Sequence, residues 1–372
     1  MTARSRHALV RGAWTLAVAL AAVLVVKIFV CDVKHVDSGS MAPTILGSRE
    51  NGESVLVLYG DFEPERFDYA VITREGETLP IVKRIVGLPT ESVRIANGDL
   101  WIDGKRLPPS APRPAPIPLF DDRFQPVADF FETSGEGLMS FHRRLSDGYL
   151  DRDGHAVPGE TDVNDAIFEC EFQADEVAGR AIVELVEQGD VFRFAIEPKS
   201  AGTAEASIAR RSAAGPEEIL AARTVPFVPG AWTRLRCSNV DDGLALEVSG
   251  TPEVLCAAYD GNRFDEADRL KEGKTFGARV RFGGQGARIQ FRSIRILRDI
   301  YYTARDSHGV KSPEDLGPDE YFVLGDNSAE SRDSREWGPV RRERIVGRPI
   351  WVVWPPGSAR KLVPTVLPPC GR

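Results

Sequence analysis

Ser40 lies in the stretch Asp37-Ser38-Gly39-Ser40-Met41-Ala42-Pro43-Thr44, and Lys83 lies in the apolar run Pro80-Ile81-Val82-Lys83-Arg84-Ile85-Val86. A serine hydroxyl is a poor nucleophile until a neighbouring base takes its proton. Histidine is the usual base, yet the five histidines are badly placed for that work. His7 precedes the apolar N-terminal run, His142, His155 and His308 lie far down the chain, and only His35 is near. A lysine serves instead when burial draws its pKa from ~10.4 towards ~7–8, so that a neutral amine exists at working pH. If Lys83 faces inward on a strand, Val82 and Arg84 face the other way, which gives the charge to Arg84 and the desolvation to Lys83. Taken alone, a Lys-Arg pair reads as two surface charges on an edge strand. A third block, Gly325-Asp326-Asn327-Ser328-Ala329-Glu330-Ser331-Arg332-Asp333-Ser334-Arg335, shifts the balance, because the combination is specific where no single piece is. Asp326 could serve as a triad carboxylate or metal ligand, but no histidine cluster accompanies it.

These residues need a scaffold. Short β-like runs alternate with turns after residue 50: Ser54 to Leu58, Tyr69 to Ile72, Ile81 to Val86, Ser92 to Ile95, and Leu100 to Lys105 with an Asp-Gly turn. No long 3.6-residue periodicity appears there, so the region is predominantly β. Pro108 to Pro118 is too proline-rich for a central strand or a helix interior and reads as a linker. Residues 119–160 carry no assignable pattern. From 161 to 298 period-two alternation resumes, as in Ala166 to Phe172, Arg180 to Val186 and Ala287 to Ile296, with spacing that suits a sandwich or jelly roll.

Gly12 to Val26 is uncharged and apolar, and Ile28-Phe29-Val30 continue the run after Lys27. Residues 12–30 as a helix reach about 28 Å at ~1.5 Å per residue, close to the hydrocarbon thickness of a bilayer. Arg4, Arg6 and Arg11 precede the run and keep the N-terminus cytoplasmic. Ala17-Val18-Ala19 would serve as a processing site in a cleaved secretory peptide, but the apolar run continues past it as a retained anchor requires. The chain is 42% hydrophobic and 27% charged, which excludes global disorder. A net charge of −8 without a basic stripe excludes nucleic acid as a partner. Five cysteines without a CxxC pair imply no zinc or iron–sulfur site, and a disulfide within Cys170, Cys237 and Cys256 is open in an oxidising compartment.

The blocks around Ser40, Lys83 and Gly325 together resemble the type I signal peptidases, membrane-bound serine proteases. The resemblance covers roughly residues 8–107 and 318–356. It implies Ser40 as nucleophile, Lys83 as general base and Ser38 as an oxyanion donor beside the Ser40 amide. It further implies that Ser331 orients the lysine and that Asp333 and Arg335 form a supporting ion pair at the edge of the site. Gly325, Asp326 and Asn327 then make a supporting turn, Arg84 flanks the base, and Met41 and Pro43 shape the substrate-binding loop. Asp37, Ile45, Phe67 and Thr90-Glu91 depart from the family pattern without touching a chemical group. The 161–298 block resembles laminin-G/concanavalin-like sandwich modules through Trp232 to Leu235, Asp242 to Val248 and Ile289 to Ile296.

The expected organisation is a cytoplasmic N-terminus (1–11), a transmembrane helix (12–30), a β catalytic domain (31–107 and 299–372), a linker and unassigned segment (108–160) and an inserted sandwich (161–298). The expected substrates are preprotein signal peptides cut after small residues on the outer side of the inner membrane, with no cofactor and no metal. Membrane lipid is an expected partner, and a carbohydrate or envelope component is one for the sandwich. The rival reading is an anchored carbohydrate- or envelope-binding protein on a degenerate protease scaffold. A Ser–Lys self-cleaving repressor lacks its DNA-binding module here.

Overall fold

The computed structural model describes residues 14–15, 17–18, 27 and 30–362, apart from 61, 75, 77–78, 109–112, 135–136, 188, 213–214 and 260–278. The expected anchor at 12–30 therefore lies for the most part outside the described residues. Among those described, no helix is long and apolar enough to cross a membrane. The fold is mainly β, and it divides into two compact units.

The first unit takes in the chain up to Glu91 and from Asp315. One antiparallel sheet runs in the order Cys31–His35, Ser54–Tyr59, Ile345–Trp354, Tyr69–Ile72, Ile81–Gly87, Glu320–Leu324, Val340–Arg341, and Arg360–Lys361 pairs with Ile345–Trp354. Its central strands are covered on both faces. Tyr69 and Val71 point into one apolar cluster with Met41, Ile45, Val55 and Val57, while Ala70 and Ile72 point into another with Ile85, Tyr321 and Val323. Each fully buried aliphatic of this kind contributes about 1.5–3 kcal/mol. Continuous burial is what makes Ile81–Gly87 a central strand, and it places any polar residue there inside protein.

The second unit spans 92–314 among the described residues. It begins with the small sheet of Ser92–Ala96, Asp99–Ile102 and Lys105–Arg106, joined by Asn97-Gly98 and Asp103-Gly104 turns whose residues all have positive φ. Those pairs suit two-residue hairpins because Asn, Asp and Gly tolerate that backbone. A six-stranded and a seven-stranded sheet follow, sharing one core built on Phe120, Phe168, Phe172, Phe192, Phe194 and Phe282. Ala166–Ala174 shows how the sequence specifies this: alternate residues from Phe168 to Ala174 are buried, while Glu169, Glu171 and Gln173 face away. The sheets draw on chain outside 161–298. Ile117–Asp121 forms an edge strand of one, and Phe131–Thr133 with Met139–Phe141 lie at the end of the other. Pro118 is tolerated because an edge strand leaves one row of amide positions unpaired.

The structure decides the cysteine pairing that the sequence left open. Cys31, Cys170 and Cys237 carry free thiols, and Cys256 is disulfide-bonded, so no bridge forms within Cys170, Cys237 and Cys256. Cys170 and Cys237 each point into the apolar core, where burial above all pushes both thiols up and leaves them inert.

Candidate active site

The site lies within the first unit. Ser40 sits in the middle of the 3₁₀ turn Gly39–Met41, entered from an extended Ser38. Three contacts fix that turn: Ala42 N donates to Gly39 O at 3.0 Å, Asn327 N donates to Ser40 O at 3.0 Å, and Asn327 Nδ2 donates to Gly39 O at 3.1 Å. Two glycines allow the close approach this needs. A Cβ on Gly325 would stand 2.2 Å from Ser331 Oγ and 2.4 Å from Ser40 O, and one on Gly47 would meet Ser38 O. Met41 is fully buried behind the turn, and Pro43 follows a cis peptide bond.

Lys83 projects from Ile81–Gly87 opposite Ala70 and donates from Nζ to Ser40 Oγ at 2.6 Å. Lys83 is 3% exposed and Ser40 8% exposed. Ser38 is exposed, with its Oγ 3.2 Å from Ser40 Oγ. Two hydroxyls and one buried amine thus converge from segments far apart in sequence.

Arg84 does not take the outward position that simple alternation gives it. It is fully buried, because both faces of its strand are covered. Its guanidinium donates to Asp326 at 2.7 Å from Nε and 2.5 Å from Nη2, to Phe67 O at 2.8 Å and to Tyr69 OH at 3.0 Å, and it stacks on the Tyr69 ring. A two-pronged pair of this kind holds planar groups in one orientation. Burial in turn pushes the Tyr69 phenol up. Asp326 is thereby an arginine partner, and its neighbour Asn327 holds the serine turn.

Asp333 and Arg335 also pair at 2.7 Å, but both are fully buried beneath the site, not at its edge. Asp333 accepts from Gly325 N and caps the short helix Ser334–Trp337, while Arg335 donates to Ser328 Oγ at 2.6 Å and to Ser328 O at 2.8 Å. The loop 325–335 is held rigid by charge-assisted bonds to its own backbone.

One supporting pair escaped sequence reasoning. Glu53 is fully buried, accepts from Leu46 N at 2.9 Å and pairs with Arg360 at 2.7 Å; Arg360 also donates to Thr44 O at 2.6 Å. Together they clamp the loop after Ser40 from beneath. A lone glutamate opening the strand Ser54–Tyr59 carries little signal, because its partner is about three hundred residues away.

The second unit handles charge differently. Asp99, Asp165 and Asp241 bring carboxylate oxygens within 4.8 Å of one another, with Asp299 beside them. Arg113 pairs with Asp241 and Asp299, and Arg106 with Asp99 and Asp242. Burial first, and then the neighbouring carboxylates, raise Asp99 and Asp165 well above the usual range and push Asp299 up to about 7. Asp151, Asp153 and His155 form a second, more exposed group.

A family model described as signal peptidase, peptidase S26, matches residues 9–126 and 272–354. Signal peptidase I P of Bacillus subtilis subsp. natto is 34% identical over 97 residues, 25% of this chain and 51% of that protein. Thylakoidal processing peptidase 1 of Arabidopsis thaliana is 57% identical over 37 residues, 10% of this chain and 11% of that one. The chain spans about half the length of the first of these relatives and a smaller part of the second. Among solved structures, the galectin LEC-6 of Caenorhabditis elegans overlays 38% of this chain and 87% of its own at 14% identity, with a TM-score of 0.25.

Proposed function

Because this chain belongs to the signal peptidase family, peptidase S26, we propose that it is a membrane-bound serine endopeptidase that cuts signal peptides from exported preproteins after small residues. The observation that carries this reading is the 2.6 Å bond between the buried Lys83 amine and Ser40 Oγ. Lys83 takes the Ser40 proton as Oγ attacks the scissile carbonyl, and desolvation favours the neutral amine that this step needs. The carbonyl oxygen becomes an oxyanion held by Ser38 Oγ and the Ser40 amide. Lys83 then gives the proton to the departing amine, and the C–N bond breaks to leave an acyl-Ser40. Water, deprotonated by Lys83, attacks that ester, restores the Ser40 hydroxyl and releases the cleaved signal peptide as its carboxylate; the shortened protein has already left as the amine.

Ser331 orients the lysine from beside Gly325, in agreement with its Oγ lying against that glycine. Arg84 with Asp326, and Asp333 with Arg335, hold the frame and touch no reacting atom. The substrate lies extended and bonds through its main chain, as peptides do at exposed sheet edges. The anchor at 12–30 and its cytoplasmic N-terminus belong to this proposal on hydropathy and flanking charge, and the inserted sandwich, expected over 161–298, is read as the six- and seven-stranded sheets within 117–298.

The test is cleavage of a purified preprotein in lipid by wild type, Ser40→Ala and Lys83→Ala. Each substitution should lower kcat by at least about 10³-fold, since the two act as a unit. Ser38→Ala should cost about 10²–10³-fold. Cutting that survives Ser40→Ala would remove the nucleophile assignment.

A further inference from the structure

The charges around Ser40 do not balance at the surface. Arg84 and Arg335 are fully buried, and each is cancelled by a carboxylate, Asp326 and Asp333. Lys83 lies behind the serine, 3% exposed. What remains at the rim is acidic. Glu330 is exposed, and its Oε2 accepts from Asn327 Nδ2 at 3.1 Å. The same Nδ2 donates to Gly39 O at 3.1 Å, so one amide group ties the carboxylate to the residue between the two active hydroxyls. A Cβ built on Gly39 would stand 3.7 Å from that carboxylate oxygen. Glu330 N also donates to Asn327 O at 3.1 Å, which fixes the side chain's root. Asp37 adds a second exposed carboxylate immediately before Ser38, 3.6 Å from His35. Asn327 is the only side-chain hydrogen-bond partner of Glu330 among the described residues, and no cation there pairs with it.

We propose that Glu330 is a specificity-determining residue that selects substrates carrying a lysine or arginine close to the scissile bond, at a position other than the small residue directly before the cut. The inference rests on the Ser–Lys reading above, because it places the peptide bond at Ser40. A carboxylate needs a counter-charge, and a substrate side chain arriving over Gly39 supplies one. Asn327 holds the acceptor in place before the substrate comes, so little order has to be imposed on binding. The position is open to water, which limits the gain: exposed ion pairs are worth about 0.2–1 kcal/mol, or roughly 1.5- to 5-fold in kcat/KM. Salt should erode it, since exposed charges are screened over ~8–10 Å at moderate ionic strength.

The experiment uses the full chain in lipid and a set of preproteins identical except for one residue. A lysine, a serine or a glutamate is placed in turn at the second position before the cut and at each of the two positions after it, the small residue directly before the cut being kept. The measured quantity is the ratio of kcat/KM for lysine over serine at each position. Wild type should prefer lysine by a few-fold at one position at least, and the ratio should fall towards one in high salt. Glu330→Gln keeps an acceptor for Asn327 and should abolish the preference, while Glu330→Lys should turn it towards glutamate. Ratios near one in wild type at every position, or a preference that Glu330→Gln and Glu330→Lys leave unchanged, would overturn the inference and leave the protease reading standing. Failure of wild type to cut any of the substrates would remove both.

Discussion

Charge is buried in both units of this molecule, but the counts differ. In the first unit each fully buried arginine meets one carboxylate: Arg84 takes Asp326, and Arg335 takes Asp333. In the second, Asp99, Asp165, Asp241, Asp242 and Asp299 share Arg106, Arg113 and Arg298. One-to-one pairing leaves neither partner without a counter-charge and fixes its geometry. An excess of carboxylates must instead hold protons, and Asp99, Asp165 and Asp299 are raised accordingly. The lesson is that burial is common to both and comes first, and the number of partners then separates a strut from a titrating group.

The sharpest way to break this contrast is to unbalance a strut. Arg84→Met leaves Asp326 buried and uncompensated and should cost about 3–5 kcal/mol of unfolding free energy in urea titrations. The double variant Arg84→Met with Asp326→Leu should recover most of that loss. A recovery would show the pair to be valuable for orientation and not for net stability. Glu53→Gln, in the clamp under the serine loop, keeps one acceptor for Leu46 N but removes the charge facing Arg360. About 1–3 kcal/mol should be lost, with kcat falling more than KM rises.

The third prediction concerns pH. A carboxyl whose folded pKa is raised binds its proton more tightly folded than unfolded, so folding is favoured most below the ordinary value of 3.8. That contribution is lost as pH rises towards about 7 for Asp299. Thermal melts should therefore show 92–314 more stable near pH 5 than near pH 8, and Asp165→Asn should flatten the slope. Melting that is independent of pH, or steeper in the variant, would dissolve the contrast between the units. The smallest effect belongs to the solvent face of the six-stranded sheet, where Arg234 and Arg292 flank Glu171. Both arginines are more than half exposed, so Arg234→Ala should shift stability by no more than about 0.5 kcal/mol.

The same contrast explains what could be read from the sequence. That Ser40 and Lys83 would meet was legible because the combination is unusual: a serine block and a lysine in an apolar run suggest a pair, and the two side chains lie 2.6 Å apart. The strands were legible wherever one face is wet, as in Ala166–Ala174, since period two is then written in the residue types. The rule failed on Ile81–Gly87, where both faces are buried and Arg84 has nowhere exposed to go. It was also weak at Ile117–Asp121, whose proline is compatible only with an edge, and edges are set by partners distant in sequence. Glu53 and Arg360 were invisible for the same reason.

Where the second unit departs from the first, the two strands of chain are tied to each other. Thr90 N donates to Gly317 O at 3.2 Å, and Leu316 N donates to Glu91 O at 2.9 Å. To the sheet that carries Ser40 and Lys83, everything from 92 to 314 is thus the tip of a hairpin whose stem is already closed. Loop-closure cost grows only with the logarithm of length, so a tip of any size weighs little on the stem. The fold is a socket: the stem is closed by its own hydrogen bonds, and the length of chain held beyond it has little bearing on the sheet that brings Ser40 and Lys83 together.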